Sequence, residues 1–472
     1  MSDPSARQRR FYIASTALIA AISGFLFGYD GSILGAAALY LRDYFHLTPE
    51  TMGFVFGGGA LGYVAGPLVG GWFCDRIGRE RTMILGAYIL GLGALMTSVA
   101  GSLAVFAVFR IICGFAVGIS SIAAPMYIAE VAPPRIRGKL GLTFQLAIVV
   151  GSAAAPLVAY PMSLHLSPHT SWRWMFATQL VILVPLILFL YQLLPSPRWL
   201  AEKGRFDEAL AVLRKVHEPG LAENELKEIR AAVGEEQGGW RELLQPGVRF
   251  ALIIGLLLAF FNNWTGWSAM GGYITNLVEL SGVHSYSTAI LQFAFTYVAM
   301  SLMTVVSMWL VDKVGRRPLW IFASILMAMV TAATGLVFYF HLHGWIVLLV
   351  LCLCTVPHGI ALGGLPWLMM SELFPNRVRA KAVTVTTMFL FFVIFTCGQL
   401  FPIFLDYSNR RMGSAAGVFW LFTFVCFLST VFGCTIMPET KGRTLEDIAG
   451  SLSGVRGSPG PGRPAPAGSR TP

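Results

Sequence analysis

Asp75-Arg-Ile-Gly-Arg79 and Asp312-Lys-Val-Gly-Arg316 are two copies of one short charged turn, set 237 residues apart. Each follows a long apolar stretch. Gly78 and Gly315 permit a tight reversal between helices, while the flanking charges stay in water. A second pair repeats the arrangement: Glu130 with Arg137, and Glu372 with Arg379, each seven residues apart. Matched turns at matched places mean that the second half of the chain repeats the first. Duplicated halves whose turns follow apolar stretches are the pattern of a transporter built from two related bundles around a midplane site.

The composition agrees. Only 12% of the 472 residues are charged, 56% are hydrophobic, and the mean hydropathy is +0.67. Soluble domains carry roughly 25% charged residues, so this chain cannot wet a globular surface of its size, and a soluble enzyme and a disordered chain are both excluded. A spanning helix needs about 20 apolar residues. Twelve stretches qualify, near 11–38, 52–74, 83–100, 103–127, 140–161, 173–193, 249–278, 286–310, 318–340, 345–370, 381–404 and 414–437.

Charge placement sets the topology. With both termini cytoplasmic, all but five of the 34 basic residues fall in cytoplasmic loops or tails, the exceptions being Arg42, Arg110, Arg173, Arg410 and Arg411. That is the positive-inside pattern, so the net charge of +10 reports orientation, and a nucleic-acid partner is not expected. The expected location is the cell membrane, multi-pass, with the lipid bilayer as solvent. Arg9 and Arg10 before an apolar run resemble a signal peptide, but cleavage would leave eleven spans and invert the charge bias, so the segment is read as retained. The seven cysteines fall in or at the edges of spans and read as buried small apolar residues.

Residues 1–193 are expected to form an N-terminal six-helix bundle and 250–449 a C-terminal one. Residues 194–249 form a cytoplasmic linker, in which 206–216 and 222–233 have helical periodicity. From Gly450 the Gly/Pro/Ser/Arg-rich tail, 450–472, is expected to be disordered. The expected fold class is an all-α membrane protein of twelve transmembrane helices in two bundles, with short cytoplasmic helices between them.

The chain resembles the sugar porter branch of the major facilitator superfamily. The likeness is carried by Phe27-Gly-Tyr-Asp30, Asp75-Arg-Ile-Gly-Arg79, Arg110-x-x-x-Gly114 and Pro125-x-Tyr-x-Ala-Glu130 with Arg137-Gly138. It continues through Pro195-Ser-Pro-Arg-Trp-Leu200, Pro366-Trp367-x-x-x-Ser371-Glu372-x-Phe-Pro375 with Arg379, and Pro438-Glu-Thr-Lys-Gly-Arg443. The resemblance implies proton symport of a sugar by alternating access. It also implies the proton-coupling role of Asp30, since proton symporters of the branch carry Asp there and many facilitators carry Asn.

Counted from outer ends at Tyr40 and Ser102, Asp30 and Arg110 both lie about 12 to 15 Å deep, so they can meet. A carboxylate at that depth needs the guanidinium to stay charged, and such a pair can load and release a proton as access alternates. Substrate-binding candidates are Phe27, Gln145, Asn262, Asn263, Ser268, Gly364 and Trp367. Helix breaks are expected at 262–273, where three glycines interrupt span seven, and at Gly363-Gly-Leu-Pro-Trp367 in span ten, with Trp367 as a stacking platform. Hexose-binding members of the branch read Gln-Gln-x-Ser-Gly-x-Asn in span seven. Here Asn262, Asn263, Thr265, Gly266 and Ser268 stand instead, and Met300, Leu390 and Phe391 occupy positions that are polar or Trp in the branch.

The site is therefore poorer in donors, which favours a sugar, polyol or related neutral metabolite and keeps an organic acid or aromatic compound as the rival. His358, nine residues from Trp367, is expected to face away on an unbroken helix as a packed neutral residue. Asp75, Arg79, Glu130, Arg137, Asp312, Arg316, Glu372, Arg379 and Glu439 are the cytoplasmic gate candidates, with pairs between bundles latching that side in one state and parting in the other. No cofactor or metal is expected, and no nucleophile and base pair suggests an enzyme. A small-molecule substrate and a proton are the expected partners of a functional monomer, and a proton-independent facilitator or a transporter-shaped nutrient sensor are the alternatives.

Overall fold

The computed structural model describes residues 4–131, 137–216, 220–233, 239–280, 282, 285–375 and 377–441. Among them every regular element is helical. The first bundle holds α1 (Pro4–Phe45), α2 (Pro49–Ile77), α3 (Arg79–Ser98), α4 (Leu103–Val131), α5 (Arg137–His165) and α6 (Pro168–Leu190). Three short helices follow, α7 (Pro197–Glu202), α8 (Phe206–Val216) and α9 (Leu221–Val233), then a 3₁₀ turn over Trp240–Leu244. The second bundle holds α10 (Pro246–Trp264), α11 (Trp267–Leu280), α12 (Tyr286–Val314), α13 (Arg316–Tyr339), α14 (Trp345–Pro357), α15 (Leu365–Glu372), α16 (Arg379–Met412) and α17 (Ala416–Thr435).

Helices α10 and α11 make one crossing, and so do α14 and α15, which gives twelve. Apolar side chains such as Val181, Leu188 and Phe427 point out of the bundles, as lipid-facing positions must. The helices outrun the apolar stretches: α1 continues to Phe45 and α16 to Met412, because polar residues extend a helix past the hydrocarbon without breaking it. Asp30 therefore lies about 22 Å from the Phe45 end of α1, and Arg110 about 10 Å from the start of α4. The helix ends lie at different heights, but the two residues meet at one level, as the sequence count expects.

The seam between the bundles runs along α2 against α16 and α5 against α12. Within the first bundle, α2 lies directly on α4: a Cβ on Gly62 would stand 2.0 Å from the Ile111 carbonyl oxygen. Likewise α1 lies on α5, where a Cβ on Gly28 would stand 1.8 Å from the Ile148 oxygen. These two close approaches bring the polar residues of α1, α2 and α4 together. Between the bundles in sequence, α8 buries Ala209, Val212 and Leu213 against Trp199 and Leu200 and Val216 in the core that holds Leu190 and Leu193, so α7 to α9 form a packed layer on one membrane face, the linker face. The tail from Gly450 lies outside the described residues.

Both expected breaks are present. Helix α10 ends at Thr265 and Gly266, whose φ of 110° is the left-handed geometry glycine tolerates, and α11 carries a further non-helical residue at Tyr273. In crossing ten the break begins earlier than expected: His358–Leu362 is a π-helical turn. An unbroken helix was the premise for turning His358 away from Trp367, and that premise fails. His358 is buried and packs against the Trp267 ring, 6.0 Å between centroids.

Candidate functional site

Arg110 reaches Asp30 from α4 as a two-pronged fork. Nη1 donates to Oδ1 at 2.6 Å, Nη2 to Oδ2 at 3.2 Å, and Nη2 also reaches the Asp30 carbonyl at 3.4 Å. The side chains are 2% and 0% exposed, so neither charge has water to fall back on. Such a buried pair survives only with good geometry and further hydrogen bonds. Two more donors supply them: the Gln179 Nε2 amide from α6, 3.2 Å from Oδ1, and the Tyr63 hydroxyl from α2, 3.3 Å from Oδ2. The Arg110 guanidinium also lies over the Phe176 ring at 5.5 Å.

Sequence reasoning found Asp30 and Arg110 but missed Tyr63 and Gln179. Gln179, a lone amide 1% exposed inside span six, carried the same signal as any polar residue in lipid. Tyr63 did not stand out, because a tyrosine in a span is ordinary.

The substrate candidates separate into two groups. Asn262 and Asn263 are buried and engaged by the protein itself. Asn262 Nδ2 donates to the Leu362 and Gly363 carbonyls at 2.7 and 3.2 Å, stitching crossing seven to the break in crossing ten. Asn263 Nδ2 donates to the Ala259 carbonyl at 3.1 Å, and its Oδ1 accepts from Ser268 Oγ at 2.6 Å. The amide donors read from sequence as facing a cavity thus brace the break instead.

Phe27, Trp367, Gln145 and Gly364 form the other group. Phe27 and Trp367 both flank Phe391, with ring centroids 6.1 and 6.2 Å from it, and Gln145 is half-buried on α5. A Cβ on Gly364 would meet nothing within 4 Å, so the chain beside Trp367 borders open space.

At the linker face the repeated charges form two matching clusters. Arg79 bonds Glu130 at 2.8 Å and the Cys74 carbonyl at 3.1 Å, and Ser196 Oγ donates to the other Glu130 oxygen. In the second bundle Arg316 bonds Glu372 at 2.9 Å and the Val311 carbonyl at 3.3 Å, and Thr440 Oγ1 donates to Glu372 at 2.6 Å. Glu439 accepts the backbone N–H groups of Arg316 and Arg317, both at 3.0 Å, which caps α13. Although burial works the other way, the backbone donors of Lys441, Arg316 and Arg317 hold the Glu439 carboxyl below the usual carboxylate range.

Glu202 of α7 lies 3.6 Å from Arg79. Burial raises its carboxyl, with Arg79 opposing and Glu130 adding to the effect. Asp75 stands 4.0 Å from Arg79 and is 74% exposed, and Arg379 Nε donates to the Phe374 carbonyl at 3.2 Å.

A latch that shuts this side in one state and parts in the other is compatible with these contacts, since the opposite face is the closed one. Where both partners are described, the linker-face ion pairs join helices of one bundle or tie a bundle to the linker. Arg79 and Arg316 each stand at the start of a helix beside their own bundle's glutamate. The side chains of Arg137 and Asp312 lie outside the described residues.

Bonds across the seam cluster instead at the opposite face. Arg42, near the end of α1, holds both carboxylate oxygens of Glu279 at the end of α11, one at 2.9 Å. The Tyr286 hydroxyl of α12 donates to Asp43. Thr275 Oγ1 donates to the Gly35 carbonyl at 3.0 Å, Tyr273 to the Gly398 carbonyl within its own bundle at 2.9 Å, and Gln399 Nε2 to the Glu50 carbonyl at 3.2 Å. That face is shut.

Two six-helix bundles, a buried ion pair in the first and paired helix breaks in the second are the architecture of a secondary transporter of the major facilitator fold. Residues 16–451 match the family described as "Sugar (and other) transporter", and the chain belongs to that family. It is 34% identical over 435 residues to an arabinose-proton symporter of Bacillus subtilis, covering 91% of this chain and 92% of the relative. A D-xylose-proton symporter of Escherichia coli is 30% identical over 472 residues, with 93% and 95% covered. Among solved structures, an inward-open conformation of the xylose transporter XylE from E. coli superposes with a TM-score of 0.81 at 26% identity, over 93% of this chain and 99% of that one.

Proposed function

We propose that the protein imports a neutral sugar or polyol by proton symport, with residues 1–193 and 250–449 rocking about a midplane site. The observation that carries this is the buried Asp30–Arg110 fork, an ionisable pair inside the membrane, where such groups mark proton pathways. With the opposite face open, protonation of Asp30 from outside neutralises the carboxylate and frees the Arg110 guanidinium from its fork. With the linker face open, re-forming the fork favours the charged carboxylate and expels the proton.

Substrate is held between the bundles by Phe27 and Gln145 from the first and by Trp367, beside the open Gly364, from the second. Asn262, Asn263 and Ser268 support this site by fixing the breaks. A site with few free donors suits a small sugar, and pentoses, the substrates in the names of two relatives, are the first candidates. The basic linker face, with both termini, is cytoplasmic. Both the pair and the site lie in one chain, so a monomer in the bilayer suffices. Asp75, Arg79, Glu130, Arg137, Asp312, Arg316, Glu372, Arg379 and Glu439 form the cytoplasmic gate, whose clusters stiffen each bundle and separate as units.

The test is uptake into proteoliposomes under an imposed pH gradient, acid outside, across a panel of pentoses, hexoses, polyols and organic acids. Wild-type protein is expected to accumulate a sugar against its gradient and to stop when an uncoupler is added. Asp30→Asn is expected to lose accumulation while keeping sugar exchange. Uptake indifferent to the pH gradient overturns proton symport.

A further inference from the structure

The Tyr63 ring stands at a junction that nothing above explains. Its hydroxyl donates to Asp30 Oδ2. Its face meets Phe27 at 5.6 Å and Phe391 at 5.2 Å, and Phe391, fully buried, meets Trp367. The rings make an unbroken chain from the platform of the second bundle to the carboxylate of the first. Phe27 and Tyr63 come from one bundle, Phe391 and Trp367 from the other, so the chain spans the seam that must shift during transport. Because α2 lies against α4 at Gly62 and Gly59, Tyr63 is held beside Arg110, the guanidinium that forks Asp30. Its hydroxyl is set by its ring, and its ring by Phe391.

We infer that Tyr63 is the positioning residue that links sugar occupancy to the proton on Asp30, through Phe391 and Trp367. Sugar at Trp367 displaces the Phe391 ring, and the Tyr63 hydroxyl leaves the carboxylate. A carboxylate that loses a donor favours its protonated form, so sugar and proton bind with positive coupling, and by linkage the proton strengthens sugar binding equally. No electron or covalent change is involved; one proton passes from water to the Asp30 carboxyl.

The groups facing Asp30 are Arg110 from α4, Gln179 from α6 and Tyr63 from α2. Tyr29, beside it on α1, turns its hydroxyl to Thr178 at 2.6 Å, and Ser152 of α5 is spent on the Gly28 and Ile148 carbonyls. Cys113 follows one turn along α4. Tyr63 is thus the donor to Asp30 that also touches the second bundle.

The inference rests on Asp30 carrying the transported proton, and one measurement separates the two. Purified protein in weak buffer is given the pentose or hexose that wild type accumulates, and proton uptake on binding is read with a pH indicator from pH 5 to 9. Wild type is expected to take up a proton over a limited pH window. Tyr63→Phe keeps the ring contacts and loses the hydroxyl whose departure carries the coupling, so proton uptake per sugar should fall at least about twofold while sugar still binds. Phe391→Leu keeps the hydroxyl and breaks the ring chain, so the uptake per sugar should fall at least about twofold while sugar still binds.

Tyr63→Phe or Phe391→Leu with undiminished uptake overturns the link and leaves symport standing. Sugar binding by wild type without proton uptake at any pH, or no sugar accumulated at all, removes symport and the link together.

Discussion

The carbonyls of Leu362 and Gly363 lose helical donors where α14 gives way to α15, and the Asn262 amide replaces them at 2.7 and 3.2 Å. A buried carbonyl left without a partner costs about 1 to 3 kcal/mol, and lipid-side surroundings offer no water to repair it. Asn262→Ala should therefore lower the stability of the purified protein by about 1 to 3 kcal/mol, seen as a lower thermal midpoint in detergent, before any substrate is added. A variant that melts with wild type yet fails to bind sugar would instead put the amide on the substrate. The residues that were easiest to read are those whose chemistry is expensive in lipid: Asp30 and Arg110 announce themselves inside apolar runs. Asn262 was equally visible, but its partner is a carbonyl 100 residues away, freed by a π-helical turn that no local pattern marks. Tyr63 was invisible for a different reason, since its role depends entirely on what it touches.

Arg79–Glu130–Ser196 and Arg316–Glu372–Thr440 repeat one device at the ends of corresponding helices, down to the guanidinium that also holds a carbonyl five residues back. The motifs were legible as repeats because the turns recur in sequence. Their partners were not, because the same charges recur in both bundles and nothing in the sequence says which stand together, whereas the fold supplies Arg79 to Glu130 from the preceding helix. Ser196→Ala and Thr440→Val each remove one hydroxyl to a carboxylate and should cost about 1 to 2 kcal/mol apiece. Serving clusters of different bundles, they should add, and thermal midpoints of the two single variants and the double variant check this. A double variant no worse than either single would mean the clusters act as one unit. Acid should act unequally on them. The Glu439 carboxyl is held below its ordinary value of 4.5 by the α13 backbone, so its contribution is complete above that pH and is lost as pH falls through the lowered value. Glu439→Gln should remove that acid-sensitive part of the stability and leave the neutral-pH melting point lower.

The two faces of the transporter are built differently, and the difference carries the conformational equilibrium. At the linker face the described ion pairs stiffen each bundle, so they survive whichever way the bundles lean. At the opposite face Arg42 with Glu279 and Tyr286 with Asp43 cross the seam, so they exist only when that face is closed. Arg42 was one of five basic residues left over when charge was assigned to topology, and its partner, at the far end of the broken crossing seven, explains its place. The Arg42 and Glu279 side chains are 30% and 26% exposed, which puts the pair between a surface bridge and a buried one, on the order of 1 to 2 kcal/mol. About 1.4 kcal/mol is a tenfold change in the ratio of closed to open, so Glu279→Gln should shift the population toward the form open on that face. Spin labels at His46 and Ser287, in a background with the exposed Cys434 replaced by serine, should then show a larger share of long distances. The exchanged pair Arg42→Glu with Glu279→Arg should restore the wild-type distribution. An unchanged distribution in Glu279→Gln would mean that the hydrogen bonds from Thr275 and Gln399 hold the face shut without the charges.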